Sequence, residues 1–258
     1  MDYDKLINLA TDIGFRLLGT GAEVYRVEES VQRILRAYGV STGEVFAIPN
    51  CIIVSMVTPS GRTFTRVRRM ADHGTDIDRL EQYNTLCRHL CAEPPPLEEA
   101  LVQLNATEAA GRSYSLPAQA LAYFFGAALF CLFFGGTALD GLCAGLCGLA
   151  AGGCLTFLAR LGTNLFFKTV AGGAVSALVA LGLTLAGLGR NVDLITIGAL
   201  MLLVPGLIFT NAMRDIIAGD MVTGLSKTAE ALLIGAAIAL GTGTALWLAR
   251  LLWGGGVG

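Results

Sequence analysis

Six polar or ionisable residues crowd one short stretch of an otherwise apolar half-chain: Asn211, Arg214, Asp215, Asp220, Lys227 and Glu230. They follow Pro205-Gly206. Proline has no backbone N–H to offer a helix and glycine weakens one. In a membrane such a break persists only where protein or a water-filled cavity satisfies the freed groups. After the break, Asn211, Arg214 and Asp215 fall at i, i+3 and i+4, on one helix face. The next position on that face is the small Ala218, which leaves room beside them. Ionisable groups beside a broken helix point to a transport site. The candidate substrate-binding set is therefore Pro205, Gly206, Asn211, Arg214, Asp215, Asp220, Lys227 and Glu230. The competing reading is a cytoplasmic loop with ordinary charges, an Arg214–Asp215 surface pair, and Arg214 anchoring the end of a span.

Such a set has to be held by a membrane bundle, and composition supplies one. The chain has 258 residues, 54% of them hydrophobic and 15% charged, with a mean hydropathy of +0.63. A soluble chain carries about 25% charged residues. About 27 of the 38 Lys, Arg, Asp and Glu residues precede Ser115. The expected architecture is an α+β N-terminal domain over residues 1–113, followed by an all-α polytopic membrane domain over 114–258 with about five transmembrane helices. The net charge of −2 gives no argument for nucleic acid. The seven cysteines include no C-x-x-C pair. Cys87 and Cys91, like Cys143 and Cys147, are four apart and read as packing residues on a helix face. His73 and His89 complete no metal site, so no metal, cofactor or catalytic residue is expected. The acidic start, Met-Asp-Tyr-Asp, lacks the basic and apolar regions of a cleaved signal peptide.

In the first domain a helix is expected from Asp2 to about Leu18. Thr20 and Glu23 read as a T-x-x-E capping box. Val24, Val27, Val31, Ile34 and Tyr38 then recur at helical spacing. Strands are expected over Glu44–Ala47, Cys51–Thr58 and Arg62–Arg69, separated by Pro49-Asn50 and Pro59-Ser60-Gly61. Arg66, Arg68 and Arg69 read as a solvated sheet face, with lipid headgroups, a partner or an anionic ligand as alternatives. Helices follow at Asp76–Leu90 and Leu97 to about Ala110, split by Glu93-Pro94-Pro95-Pro96. The domain contains no Gly-rich phosphate loop, no G-x-S-x-G and no Cys/His pair at plausible spacing.

The membrane spans are expected at Leu116–Gly135, Gly141–Leu158 (capped by Asp140), Asn164–Leu188, Leu194–Met213 and Ala229–Leu248, each long enough to cross about 30 Å. Gly141-x-x-x-Gly145 and Gly148-x-x-x-Gly152 give the second span a small-residue face for close helix contact. Arg112, Arg160, Lys168, Arg214 and Lys227 lie at cytoplasmic ends if the N-terminus is cytoplasmic, leaving only Arg190 and Arg250 outside. That bias sets the orientation. An odd number of spans suggests a partner chain.

Two stretches resemble the threonine/serine exporter (ThrE-like) family, including its split YjjP/YjjB type. The first is Gly21-Ala22-Glu23-Val24-Tyr25-Arg26-Val27-Glu28, with Thr65-Arg66-Val67-Arg68-Arg69. The second is Pro205-Gly206, Asn211, Arg214-Asp215, Gly219-Asp220 and Gly224, with Glu230 after it. Fused members continue through a second membrane block, so the resemblance implies a YjjP-like larger subunit with a YjjB-like second membrane subunit, in a hetero-oligomer in the cell inner membrane. It implies export of threonine and serine, or of succinate. All three carry a carboxylate, which a guanidinium holds with paired hydrogen bonds. Arg214 is then the candidate clamp, Asn211 a second donor, and Asp215, Asp220 or Glu230 a group that holds Arg214 or carries a proton. Lys227 stands where Arg is expected in the family. The alternative is a membrane-anchored receptor or hydrolase-like enzyme, which requires a deep polar pocket with convergent titratable groups in residues 1–110.

Overall fold

A computed structural model describes residues 1–70, 74–111 and 114–253; His73 and Arg112 lie outside them. The chain forms two compact units. One is Met1–Ser113 with Leu207–Thr228, and the other is Tyr114–Gly206 with Ala229–Gly258.

The first unit begins with helices α1 (Tyr3–Gly19) and α2 (Val24–Ala37). Strands β1 (Gly43–Ile48), β2 (Cys51–Val57) and β3 (Thr63–Arg69) follow, then α3 (Ile77–Ala92) and α4 (Leu97–Ala109). The sheet is an antiparallel meander in the order β1-β2-β3. Along β2 the side chains alternate, and Ile52, Val54 and Met56 are buried. They join Leu6, Ile13 and Leu17 of α1 and Val27, Val31 and Ile34 of α2 in one core. Each fully buried aliphatic side chain of this kind contributes about 1.5–3 kcal/mol. The exposed edge strand β3 has a basic run held partly by α1. Arg66 pairs with Asp4 at 2.7 Å, and Arg68 pairs with Asp12 at 2.8 Å while lying over the Phe15 ring.

The expected capping box at Thr20 does not form. Thr20 ends α1, and its hydroxyl donates to the Leu17 carbonyl at 2.8 Å. Helix α2 starts three residues later than expected. Glu23 is its N-cap residue, and its side chain makes no capping bond. The intervening turn takes Gly21 at φ +90°, which favours glycine.

The second unit holds α5 (Leu116–Phe133), α6 (Ala138–Arg160), α7 (Leu165–Leu185), α8 (Val192–Leu200) and most of α10 (Met221–Trp253). Among the described residues four helices are long and apolar enough to cross a membrane: α5, α6, α7 and α10. The fourth expected span, Leu194–Met213, is not one helix. It is divided into α8 and α9 (Gly206–Ala218), of 9 and 13 residues. At 1.5 Å per residue these reach about 14 and 20 Å, short of a bilayer. Pro205 accounts for the break, because it can donate no hydrogen bond.

Small residues build the interior of this unit: Ala127, Cys131, Cys143, Ala144, Cys147, Ala180 and Ala199. Leu121, Phe125 and Leu129 are exposed on α5, as suits a lipid-facing surface. The glycine face of α6 is used within the chain. A Cβ on Gly148 would lie 2.4 Å from the Tyr123 carbonyl of α5, and one on Gly152 would lie 2.4 Å from the Tyr123 ring. Asp140 does more than cap α6. Thr137 is the N-cap and Asp140 completes a reciprocal capping box. Its other oxygen accepts from the backbone N–H groups of Arg190 and Asn191, at 2.7 and 3.1 Å, fixing the α7–α8 connection.

The closest helix approach predicts a paired test. A Cβ on Gly241 of α10 would lie 2.0 Å from the Val170 carbonyl of α7, whereas one on Gly243 meets nothing within 4 Å. Gly241→Ala is expected to destabilise by about 1–3 kcal/mol through overpacking. Gly243→Ala, which gains helix propensity, is expected to be neutral or stabilising. Thermal unfolding of the two variants in the same detergent checks the difference.

Candidate functional site

Asp215 is completely buried, and the hairpin of α9 and α10 is organised around it. Gly219, at φ +101°, turns the chain after α9. The Asp220 N–H closes that turn on the Asp215 carbonyl at 2.9 Å. Helix α10 then runs back beside α9. The contact is tight at Gly224, where a Cβ would lie 2.3 Å from Ile216 and 2.9 Å from the Ala212 carbonyl. Two turns into α10, Lys227 returns to Asp215, and its Nζ donates to Oδ2 at 2.8 Å. The Arg214–Asp215 pair considered from the sequence is therefore replaced by Asp215–Lys227. Nζ meets that one oxygen, and Asp215 Oδ1 has no hydrogen-bond partner among the described residues.

With Asp215 turned toward α10, its neighbours on α9 turn elsewhere in the first unit. Asn211 Nδ2 donates to the Gly21 carbonyl at 3.3 Å. Arg214 Nη1 donates to Glu23 Oε1 at 2.8 Å. Glu23 is a buried carboxylate, its side chain only 10% exposed, and it serves two cations: Arg26 Nε lies 3.2 Å from its Oε2. The two arginines are 57% and 58% exposed. Arg26 Nε also donates to the Tyr25 hydroxyl at 3.1 Å. One turn along α2, Glu28 accepts from the Ala47 N–H at 2.8 Å. Burial pushes the Glu28 carboxyl above its ordinary range. The Ala47 bond opposes that shift, and the charge of Asp220 adds to it.

Of the eight residues singled out from the sequence, Asn211, Arg214, Asp215, Asp220 and Lys227 come together with α2 in the first unit. Pro205, Gly206 and Glu230 belong to the second. Sequence reasoning missed Glu23, Arg26 and Glu28 as members of this cluster. All three lie in the stretch from Gly21 to Glu28, whose likeness to a known family was the signal available. The offset of Glu23 from Thr20 fits a helix cap, and that local pattern hides its pairing with Arg214.

The first unit also has a groove of about 560 Å³ between α2 and α3, lined by Tyr25, Arg26, Glu29, Arg33, Glu81 and Arg88 among others. Arg33 is paired with Glu29 at 2.6 Å. Cys87, also in the lining, has its thiol pushed up to about 12 by burial, so it carries no thiolate nucleophile at neutral pH.

The buried pair predicts opposite effects for two substitutions at one position. Lys227→Met leaves Asp215 uncompensated and is expected to cost about 3–5 kcal/mol. Lys227→Arg brings a second donor toward the unpartnered Oδ1 and is expected to raise the melting temperature. Unfolding of the purified full chain, followed for both variants against wild type, checks the sign of each.

The model of the ThrE family, described as "Putative threonine/serine exporter", matches residues 8–249. A "Probable threonine/serine exporter" of Mycobacterium tuberculosis is 25% identical over 243 residues, covering 92% of this chain and 45% of the relative. The "Threonine/serine exporter" of Corynebacterium glutamicum is 27% identical over 254 residues, covering 96% of this chain and 52% of the relative. "Pheromone-regulated membrane protein 10" of Pichia sorbitophila is 25% identical over 245 residues, covering 90% and 24%. The chain thus spans about half the length, or less, of the curated relatives it matches. No solved structure matches it. A match from residue 8 to residue 249, together with four apolar helices of spanning length, makes this chain a membrane protein of the threonine/serine exporter family.

Proposed function

We propose that the chain is part of a secondary transporter that exports a small carboxylate-bearing metabolite, threonine and serine or succinate, across the inner membrane. Its N-terminal domain is cytoplasmic, and a second membrane block carried by a YjjB-like subunit completes it. Arg214 and Asn211 on α9 meet the substrate. Asp215 and Lys227 hold that helix in register, and Asp220 stands beside them, next to Glu28. Pro205-Gly206 frees the start of α9 from the preceding helix, and Glu230 belongs to the same proposed set on α10.

The observation that carries this reading is Arg214. Its guanidinium is fixed through one nitrogen and otherwise accessible, on a short helix that follows a proline break in a chain of an exporter family. A guanidinium has five donors, so the bond to Glu23 leaves several for a ligand. Arg160 and Lys168 flank the α6–α7 connection, two spans beyond the N-terminal domain and therefore on its side of the membrane, and this positive charge supports a cytoplasmic N-terminus. The greater length of the relatives supports a second membrane block.

Two measurements test this. Efflux against substrate concentration is compared for wild type, Arg214→Lys and Arg214→Ala at matched membrane abundance, with the second subunit co-expressed. Loss of one charge-assisted hydrogen bond, about 1.5–3 kcal/mol, weakens apparent affinity roughly 10- to 150-fold. A lysine that exports with unchanged affinity refutes the carboxylate role, because an ammonium keeps charge and reach but not the planar fork. For orientation, a single cysteine at the exposed Ser60, in a background free of the seven native cysteines, is expected to resist impermeant reagents applied from outside. Labelling from that side reverses the topology.

A further inference from the structure

Glu23 is one anion shared by two cations, and that imbalance has a use. Its carboxylate is nearly buried, with each oxygen on a different guanidinium: Oε1 on Arg214 at 2.8 Å and Oε2 on Arg26 at 3.2 Å. Both arginines remain more than half exposed. The next carboxylates nearby are otherwise engaged. Glu29 pairs with Arg33, and Glu28 accepts from the Ala47 backbone and faces Asp220. Glu29 also acts on Arg26 through its charge, but Glu23 is the carboxylate in direct contact with both guanidiniums, and it leaves most of their donors open. The pair Arg26–Arg214 offers an accessible, two-armed donor surface whose internal occupant has the functional group expected of the substrate.

We propose that Arg26 and Arg214 together form the substrate's carboxylate site, and that Glu23 is an internal anion which holds that site when it is empty and must yield for substrate to bind. The inference rests on reading Arg214 as a substrate ligand, and it adds a residue of the N-terminal region to the site. A substrate carboxylate has two oxygens, enough to span the two guanidiniums as Glu23 does. Tyr25, whose hydroxyl accepts from Arg26 Nε, positions that arginine. Substrate entering the site displaces a carboxylate that is costly to leave buried and unpaired. Binding is thereby coupled to movement of the α2 N-terminus against α9.

The test is equilibrium binding to the purified full chain by calorimetry. The probes are L-threonine, L-serine and succinate, with L-threoninamide as the analogue lacking a carboxylate. If Glu23 occupies the site in nine molecules of ten, its removal tightens binding about tenfold. Glu23→Gln is thus expected to bind the carboxylate probe about tenfold tighter than wild type, and Glu23→Asp, one methylene shorter, to fall between. Arg26→Lys and Arg214→Lys are each expected to weaken it tenfold or more. Threoninamide is expected to show none of these changes. Melting curves confirm that each variant is folded, and Glu23→Asp, which keeps the charge, carries the comparison if Glu23→Gln is not. Glu23 variants that bind no tighter than wild type overturn the inference. So does an Arg26→Lys chain with wild-type affinity. If Arg214→Lys weakens binding in that same series, the proposed role of Arg214 stands alone. If Arg214→Lys also binds as wild type, or no probe binds wild type or Glu23→Gln, both readings fall.

Discussion

A carboxylate with no exposed surface has to be met by a cation, because the free energy of leaving it bare in a low-dielectric interior runs to several kcal/mol. Asp215 is such a group, and Lys227 is the cation. This one pairing fixes more than its own two residues. It sets the rotation of α9 about its axis, since Asp215 and Ala212 must both face α10. Successive helix positions are separated by about 100°. With Asp215 committed inward, Arg214 leaves the helix on another side, where it meets Glu23, and Asn211 reaches Gly21. The tight turn at Gly219 and the missing side chain at Gly224 are what let α10 come close enough for Lys227 to reach.

Much of the scaffold was legible because its signals are local and strong. The β-meander showed in β-branched runs separated by Pro-Asn and Pro-Ser-Gly. The first two spans showed as long charge-free stretches and the third as one interrupted only by Lys168, and their boundaries were misplaced by only a few residues. The last, expected over Ala229–Leu248, is longer at both ends, since α10 runs from Met221 to Trp253. Two features were misread, each for an identifiable reason. Leu194–Met213 is apolar on average, so hydropathy alone joined α8 to α9 across Pro205. An average over residues does not register that the backbone ladder is broken. The Thr20–Glu23 offset matches a capping box, yet the chain is still in the turn after α1 at Thr20. Which residue begins a helix depends on where the previous one is allowed to stop, and here α1 continues through Gly19.

Part of the polar cluster was legible by residue type, but its three members on α2 and the pairing within it were not. Asn211, Arg214, Asp215, Asp220 and Lys227 stand out by type in an apolar half-chain. Helical spacing places Arg214 and Asp215 side by side in sequence, which suggested a pair. Adjacent helix positions do not face each other, and each residue found a partner elsewhere: Asp215 twelve residues on, Arg214 across 191 residues. A partner at that separation is set by tertiary packing, for which one sequence holds no periodic signal.

The position of Glu23 decides what kind of ion pair it makes. An N-cap side chain ordinarily turns back to accept from its own helix, and the helix dipole favours an anion there. Glu23 has the N-cap position without the N-cap bond. Its side chain turns instead to Arg214 and Arg26, so the N-terminus of α2 is left to add positive potential of its own to two guanidiniums. Three sources of positive potential converge on the Glu23 carboxylate. A surface salt bridge with matched charges gains little from a second anion, whereas a cluster over-supplied with donors attracts one. The excess is greatest when the group that arrives can use the donors Glu23 leaves open, and a planar carboxylate meets that condition on two sides at once.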